Sequence, residues 1–464
     1  MKKMRYLCGI LFFFSSISSA EEVTIEAYLD EVRGSNPTIR SSQYRAQALE
    51  HRVEPAGTLD DPFIAAGIDQ KPFDGSMGSV ARYQISQSIP FPGKLSAKSG
   101  IAENKARSAQ SDSETAEREI TVLATQAFYQ AFFIQKALEL NEKLINLVEE
   151  AVESSKARYK TGDSIHHDWL LAKIELNAFI VERLKLTREQ EKIAAVLNEL
   201  RDQPTQTPIG PFKVIFLNDD LKEDASPFTN QPELKSLDFQ LSLAESEQKL
   251  AKLSYFPDFV IQGMAMKPNS ADMINEKSNW GVMVGISLPL FYWRKQSELV
   301  ISSTKNREAV FLEKKNLENR LNTEVVDSRQ QLKTARDIVE LYQTSVIPIT
   351  SLAVQNAKSG YEARSLPVSQ FIDALKVQKT QELEFLAAQI DVVLARTRLE
   401  KLLSSPPLLR LAPAKPSLFG GGGMGSSSMG SDTVNMGRGM SGPTRKSKGT
   451  SGSSESTGSG MGSM

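Results

Sequence analysis

The stretch QISQSIPFPGKLSAKSG, residues 84–100, changes its residue pattern within a few positions. Its first residues have the alternation of a β-strand, and those from Lys94 onward are the charged, alanine-containing residues of a helix. Pro90, Pro92 and Gly93 lie between the two patterns. Proline lacks an N–H group and is disfavoured inside both a sheet and a helix. The stretch therefore predicts the point at which a strand ends and a helix begins.

A very long helix is predicted after this point. No proline occurs between Lys94 and Tyr159, and at ~1.5 Å per residue the helix would be on the order of 100 Å long, too long for a compact domain. Mostly apolar and small residues recur along it in steps of four and three, which is the pattern of a coiled coil. They are Ile120, Ala124, Ala127, Ala131, Ile134, Leu138, Asn141, Ile145, Val148 and Val152.

The second half of the chain repeats features of the first half in the same order. Four features match: Asn36-Pro37 matches Gln231-Pro232, Pro62 matches Pro257, and Ser88 matches Ser287. The fourth match is the pair Tyr159 and Trp169 with the pair Tyr361 and Phe371. Their offsets of 195, 195, 199 and 202 residues predict a duplicated unit, with repeats in residues 21–230 and 231–416. Each repeat is predicted as helix, strand pair, very long helix, tight turn and helix. In the second repeat, the long helix is predicted to kink at Pro348.

The two ends of the chain are predicted to lie outside the repeats. Residues 1–20 have the layout of a secretory signal peptide, and a retained membrane anchor is the alternative. Loss of this segment would remove Cys8, the only cysteine, and change the formal charge from -1 to about -4, which argues against nucleic acid as a partner. Residues 417–464 form a Gly/Ser/Met-rich tail that we predict to be disordered.

The predicted strands permit two interpretations. No stretch after the signal peptide approaches 18 consecutive apolar residues, so an exported chain would be either soluble or a membrane barrel. One strand face carries Trp280, Val282, Val284, Ile286 and Leu288, and the other carries Gly281, Met283, Gly285 and Ser287. In the first half, Tyr83, Ile85 and Ile89 share a face with Gln87, and the other face carries Arg82, Gln84, Ser86 and Ser88. This alternation fits barrel strands, and it also fits an ordinary half-buried sheet.

The requirement for closure favours the barrel. Four strands cannot close a barrel, and an open sheet edge is not tolerated in hydrocarbon. If three chains each contributed four strands, a closed barrel would form, with a tube of helices beneath it. Pro289 would then end the second strand pair as Pro90 and Pro92 end the first. Gly93 would allow the bend, and Lys94 would lie near lipid headgroups.

Three motifs in this order resemble those of the TolC-type outer-membrane efflux proteins, in particular their heavy-metal cation efflux branch. They are the residues from Gln87 to Leu95, those from Tyr159 to Gly162 with Asp168 and Ala172, and those from Ser359 to Leu366 with Asp373 and Ala374. The resemblance covers residues 23–405. It implies a mainly α protein with a membrane β-barrel: a long coiled-coil helical barrel with four strands per chain, whose trimer forms a twelve-strand outer-membrane barrel.

The resemblance also implies a function and partners. The expected protein is the exit duct of a tripartite efflux pump that passes metal cations or small toxic compounds from the periplasm to the exterior and catalyses no reaction. The expected partners are two sister copies, a periplasmic adaptor, an inner-membrane pump and outer-membrane lipid, with the helices in the periplasm. The alternatives are the exit duct of a type I protein secretion system and a soluble periplasmic coiled-coil scaffold.

A gate is implied at the periplasmic end of the tube, where an aspartate on the first hairpin meets a tyrosine and an arginine on the second. Asp168 and Tyr361 match the first two positions, Leu366 stands in place of the arginine, and Arg364 occupies a position where the family usually has glycine. Asp373 matches a ring of acids, and three carboxylates around a pore would favour cations. Asp168 is alternatively an acid stabilised by the dipole of a helix N-terminus.

The tip of the first helix hairpin is predicted at Tyr159, Gly162, His166 and His167, with glycine at the turn. Adjacent histidines on a helix point about 100° apart and rarely share a metal ion, so we predict no metal site there. Four tail methionines could bind soft ions as thioethers. They are Met424, Met429, Met436 and Met440. No nucleophile motif, phosphate loop or zinc spacing occurs, so neither an enzyme nor a cofactor is predicted.

Overall fold

The computed structural model describes residues 22–69, 80–163, 165–214, 216, 231–268 and 277–403. The predicted signal peptide, 1–20, and the predicted tail, 417–464, lie outside these residues. All described residues belong to one structural unit. The elements are β1 Val23–Thr24, α1 Ile25–Ser35, α2 Pro37–Glu50, α3 Val53–Gly57, β2 Phe63–Asp69, β3 Val80–Ile89, α4 Lys94–Lys160, α5 His166–Leu200, β4 Phe212–Lys213, α6 Pro232–Leu253, β5 Asp258–Pro268, β6 Asn279–Ser287, α7 Gln296–Leu341, a π-helix Tyr342–Val346, α8 Ile347–Glu362 and α9 Val368–Leu403.

Helix α4 confirms the predicted long helix and its coiled-coil seam. It continues for 67 residues from Lys94 to Lys160. Eight of the ten predicted seam positions are buried, and the other two, Ile120 and Leu138, pack partly buried against the same core. Alanines on the seam leave room for close neighbours, and α4 packs against α5, α6 and α9. The helix is thus stabilised by tertiary packing along its length.

The long helix of the second half changes type near Pro348. Helix α7 ends at Leu341, the π-helix Tyr342–Val346 follows, and α8 begins at Ile347 with the proline in its first turn. Proline has no N–H to donate to the carbonyl of the preceding turn, and its ring crowds that carbonyl. A wider π turn accommodates both effects. The irregularity predicted at Pro348 is therefore present as a change of helix type just before the proline.

Within the described residues, four strands form an antiparallel sheet in the order β2-β3-β5-β6, so the two halves of the chain pair through β3 and β5. The register aligns Tyr83, Ala265 and Trp280 across one face. That face is apolar and exposed. The opposite face is mostly polar or small, with Arg82, Gln84 and Gln262, and it also carries Phe63 and the methionines Met264, Met266 and Met283. The predicted alternation of the strands is therefore present in the sheet.

The described helices enclose three apolar clusters. One packs α1 and β4 against α4 and α5, the second lies around the hairpin tips, and the third joins α7 to α9. The strands β1 and β4 form a short parallel pair beside the first cluster. In the described part of the chain, no helix is both long enough and apolar enough to cross a membrane. The elements occur in the same order in both halves, and the duplication itself stays a prediction.

Candidate functional site

The first strand-to-helix exit is closed by an ion pair between the two halves of the chain. The Lys94 ammonium donates to the Asp258 carboxylate at 2.8 Å and to the Phe256 carbonyl at 2.9 Å. The backbone N–H of Phe91 donates to the same carboxylate oxygen at 2.7 Å, and the rings of Phe91 and Phe256 stack with centroids 4.5 Å apart. Gly93 has a φ of 96°, which favours glycine at this bend.

This geometry corrects the expectation that Lys94 lies near lipid headgroups. Its side chain is only 11% exposed, because the ammonium group is turned toward Asp258. Pro90 and Pro92 lie between the last residue of β3 and the first residue of α4, as the sequence predicted. The prolines and Gly93 therefore shape the exit, and Lys94 fastens it to the second half of the chain.

The second strand-to-helix exit differs from the first. Pro289 follows β6, and the aromatic residues Phe291, Tyr292 and Trp293 come next with their side chains exposed. Within the described part of the chain, no ion pair joins this turn to another element. The two exits therefore share their prolines and differ in how they are held.

The first hairpin tip joins α4 to α5. The backbone N–H groups of Gly162 and Asp163 donate to the carbonyl oxygens of Tyr159 at 3.1 Å and Arg158 at 2.9 Å. Gly162 has a φ of 79°. This is the Schellman arrangement, in which glycine takes the left-handed conformation without a steric penalty. The structure thus places Gly162 at the turn where the sequence predicted it.

Aromatic side chains cover the first tip. The ring of His166 lies 4.7 Å from that of Tyr159 and 5.3 Å from that of Trp169, and the rings of Tyr159 and Trp169 are parallel at 6.4 Å. His166 and His167 are both exposed. Among the described residues, no group of three or more His, Cys, Asp or Glu side chains is arranged to hold a metal ion. The tip therefore presents the exposed rings of Tyr159 and His166 over the partly buried Trp169.

The second hairpin tip joins α8 to α9 with the same backbone geometry. The N–H groups of Arg364 and Ser365 donate to the carbonyl oxygens of Tyr361 at 3.1 Å and Gly360 at 2.9 Å. Arg364 takes the left-handed conformation with a φ of 65°, although it carries a side chain. A Cβ on Gly360 would lie 2.6 Å from the Cδ1 atom of Leu366, so this tip needs glycine at position 360 for packing.

Two arginines join the tips to each other. The Arg158 guanidinium lies 4.5 Å from the centre of the Tyr361 ring and donates to the Tyr361 carbonyl at 3.2 and 3.3 Å. Tyr361 is only 8% exposed, and its ring stacks on Phe371 at 5.4 Å. Arg364 pairs with Asp163 at 3.5 Å, and both of these side chains are exposed. The first contact combines a cation–π interaction with charge-assisted hydrogen bonds.

The other two predicted gate residues lie outside this contact. Asp168 is in the first turn of α5, where the helix dipole favours an acid. Among the described residues, no hydrogen bond or ion pair joins its carboxylate to Tyr361 or Arg364. Asp373 is exposed, and its carboxylate lies 3.7 Å from the ammonium group of Lys376. One copy of the chain thus brings Tyr361 and Arg364 to the first tip and does not bring Asp168 to them.

A buried lysine joins the same helices farther from the tips. The Lys379 ammonium on α9 donates to Asn141 Oδ1 on α4 at 3.1 Å and to the Glu182 carboxylate on α5. It also lies 5.3 Å from the centre of the Phe179 ring, and its side chain is fully buried. Burial lowers the pKa of Lys379, and the hydrogen bond and charge of Glu182 oppose that shift. This polar group ties three helices together.

Sequence reasoning missed both Arg158 and Lys379. Lys379 follows Ile372 and Leu375 in steps of three and four on the buried side of α9, so a lysine on an apolar seam was a detectable signal. Arg158 had no such signal, because its partner Tyr361 is 203 positions away along the chain.

Comparison with known proteins identifies the fold. No protein-family profile matches the sequence, and no curated protein is detectably similar to it in sequence. The outer membrane channel CmeC of Campylobacter jejuni superposes with a TM-score of 0.73 at 12% identity, over 82% of this chain and 85% of that one. The outer membrane protein VceC of Vibrio cholerae gives 0.70 at 12% identity, over 82% and 95%.

The outer membrane channel MtrE of Neisseria gonorrhoeae, in its open state, gives a TM-score of 0.69 at 14% identity, over 82% of this chain and 88% of that one. These similarities extend over about four fifths of the chain, and they confirm the predicted fold class. The chain has the mainly helical, TolC-like fold of outer-membrane channel proteins.

Proposed function

We propose that this chain is the outer-membrane exit duct of a tripartite efflux system. The observation that carries the proposal is the exposed apolar face of the sheet, where Tyr83, Ile85, Trp280 and Val282 are 50–82% exposed. Such a face suits lipid, and the outer strands β2 and β6 lack a second neighbour in the described sheet. In a trimer, β6 of one copy would pair with β2 of the next and close a twelve-stranded barrel in the outer membrane.

The helices carry matching surfaces for the same assembly. Exposed apolar residues follow heptad spacing on α5, and a second exposed stripe runs along α7 and α8. The α5 stripe is Leu170, Ile174, Val181 and Leu184, and the other is Ile338, Leu341, Ile349 and Leu352. The step from Leu341 to Ile349 is one residue longer than a heptad, and the π-helix between them absorbs the extra residue. We propose that the two stripes pack against each other between copies to form the periplasmic tube.

The gate of the duct is proposed at the hairpin tips. Asp168, Tyr361 and Arg364 would hold the closed tube, with Arg158 covering Tyr361 within each copy. Asp373 from three copies would place three carboxylates around the narrow end and favour cations. The cargo would be metal cations or small toxic compounds, and assignment to the heavy-metal branch is the finer form of the proposal. An inner-membrane pump and a periplasmic adaptor would deliver the cargo, and the duct would catalyse no reaction.

Cell fractionation tests the location and assembly. The protein should sediment with the outer membrane, require detergent for extraction, and run as a trimer that dissociates on heating. Recovery as a soluble monomer from a periplasmic extract would instead support the scaffold alternative. Identification of the copurifying inner-membrane component would separate an efflux pump from a type I secretion system.

Planar bilayers test the gate. If Asp168 latches the tips, Asp168→Ala should raise the single-channel conductance, and an unchanged conductance would reduce Asp168 to an acid at a helix start. Asp373→Asn should lower the permeability ratio of cations to anions, because it removes the charge from the ring without changing its size.

A further inference from the structure

Both strand-to-helix exits lie at the same end of the sheet. Strands β3 and β6 end there, and β2 and β5 begin there. Three pairings show this: Ile89 with Phe259, Asp258 with Ser287, and Phe63 with Ser86. The segment that follows β3 therefore lies beside the segment that precedes β5 in the same chain. On its outer side, the segment that follows β6 has no strand beside it in the described sheet.

Two interactions fill the junction between the first exit and β5. The Lys94 ammonium reaches the Asp258 carboxylate, and the ring of Phe91 stacks on that of Phe256. In each contact, one partner follows β3 and the other precedes or begins β5. An ion pair and an apolar contact thus hold the end of one strand against the start of its neighbour.

The second exit carries the same two kinds of group without such partners. Its residues 291–295 form one helical turn, because the N–H of Lys295 donates to the Phe291 carbonyl at 3.1 Å. The rings of Phe291 and Trp293 lie 6.1 Å apart, and both are exposed. Arg294 and Lys295 are also exposed. Among the described residues, no carboxylate pairs with either of these two cations.

The start of β2 carries the complementary groups. Leu59, Asp60 and Asp61 precede this strand and Phe63 begins it, and all four are exposed. The Gln87 side chain donates to the Asp60 carbonyl at 2.7 Å, which fastens this segment to the end of β3. Within the described part of the chain, neither aspartate carboxylate has a hydrogen-bond or ion-pair partner. Two acids beside apolar residues at one outer strand thus match two bases beside aromatic residues at the other.

We propose that the second exit of one copy binds the start of β2 in the next copy through ion pairs. The bases are Arg294 and Lys295, and the acids are Asp60 and Asp61. Pairing of β6 with the neighbouring β2 would bring these segments together, as pairing of β3 with β5 brings together those of the first junction. The contact needs this strand pairing and therefore rests on the proposed function. Opposite charges at the junction would select which strand edges meet.

Charge reversal tests the ion pairs. Full-length trimer in detergent is diluted and held at a fixed temperature, and the remaining trimer is followed over time on native gels. R294E/K295E should dissociate on the order of tenfold or more faster than the wild type, because like charges would meet at each junction. Adding D60K/D61K to this variant restores opposite charges, so the rate should return most of the way to that of the wild type.

Crosslinking tests the contact between copies independently of stability. D61C/R294C, treated with a short bismaleimide, should give covalent dimers and trimers. The two positions lie next to the two outer strands of one sheet, so they can meet only between copies. K94C/D258C is the matched control, because its positions meet within one chain. This control should give no product between copies.

A wild type that conducts as a trimer would leave the duct intact even if the junction fails. The junction is overturned if R294E/K295E is as stable as that trimer and D61C/R294C does not crosslink. It is also overturned if R40E/R45E, which makes the same charge change on exposed residues of α2, dissociates equally fast. Crosslinked dimers of a protein that never forms a conducting channel would refute the duct and leave the contact.

Discussion

The two hairpin tips have the same backbone geometry. At two equivalent positions, one tip has an arginine where the other has a glycine. Both end their first helix with the same Schellman hydrogen bonds, and both stack a tyrosine on an aromatic ring. The positions offset by 202 residues are Arg158 and Gly360, Tyr159 and Tyr361, Gly162 and Arg364, and Trp169 and Phe371. In each tip the arginine contacts the other tip. The shared geometry is what a duplicated unit would produce, and the exchange makes the two tips interlock.

The two arginine contacts differ in strength because they differ in burial. Arg158 covers the ring of Tyr361, which is 8% exposed, whereas the corresponding Tyr159 is 44% exposed. The pair between Arg364 and Asp163 is open to solvent on both sides. Exposed ion pairs are worth about 0–1 kcal/mol, and a desolvated cation–π contact with hydrogen bonds is worth more. We therefore expect the Arg158 contact to dominate the link between the tips.

The largest effect is expected at Lys379, which joins α9 to α4 and α5 through buried polar contacts farther from the tips. Lys379→Met keeps most of the side-chain volume and removes the donor to the Glu182 carboxylate and to Asn141 Oδ1. We expect the free energy of unfolding in detergent, from denaturant titration, to fall by about 3 kcal/mol. K379M/E182Q should lose less than K379M alone. A single variant within about 0.5 kcal/mol of the wild type would mean that the pairing of the hairpins does not depend on this group.

The next test compares the glycines of the two tips. Gly360→Ala should cost about 2 kcal/mol, because the new Cβ would meet Leu366 at 2.6 Å. Gly162→Ala should cost about 1 kcal/mol through backbone strain alone, since no atom lies within 4 Å of the added carbon. Adding Leu366→Ala should reduce the penalty of G360A and leave that of G162A unchanged. Equal rescue of both variants would show that the two tips do not differ in this way.

Removal of Arg158 is the third test. Arg158→Met keeps the aliphatic stem and loses the cation–π contact and both hydrogen bonds to the Tyr361 carbonyl. We expect a loss of about 1–2 kcal/mol in unfolding free energy and a higher single-channel conductance. Tyr361→Phe should change little, because the tyrosine hydroxyl is 3.5 Å from its acceptor, the Ala151 carbonyl. If Y361F matches R158M, the hydroxyl and not the cation holds the tip.

Local features of this fold were predictable, and contacts between distant segments were not. The bounds of α4 followed from a run without proline and a regular seam, and the exit at Pro90 and Gly93 followed from backbone chemistry. Lys94 was assigned to lipid headgroups because its real partner, Asp258, is 164 positions away and no local pattern points to it. The contact of Arg158 with Tyr361 was missed for the same reason. Among the residues predicted at the hairpin tips, only those of the turn, such as Gly162, could be identified from the local sequence.

The smallest expected effect lies at Arg364, where two opposing contributions to the free energy of unfolding nearly cancel. Its left-handed backbone costs a residue with a Cβ about 1–2 kcal/mol, and its exposed ion pair with Asp163 returns about 0.2–1 kcal/mol. Arg364→Gly removes both terms and should raise the unfolding free energy by a few tenths of a kcal/mol to about 1 kcal/mol. Arg364→Ala keeps the strain and loses the pair, so it should be less stable than the wild type.

The three variants R364G, R364A and D163A separate the two terms. The difference between R364G and R364A measures the backbone strain, and D163A measures the ion pair without changing the backbone. If R364G and R364A are equally stable, the left-handed turn costs nothing at this position and the exchange of arginine for glycine carries no penalty. If R364G is more stable than the wild type but has a higher conductance in bilayers, Arg364 contributes to closing the tips at the expense of stability. Its ion pair with Asp163 would then be the contact that matters for closure.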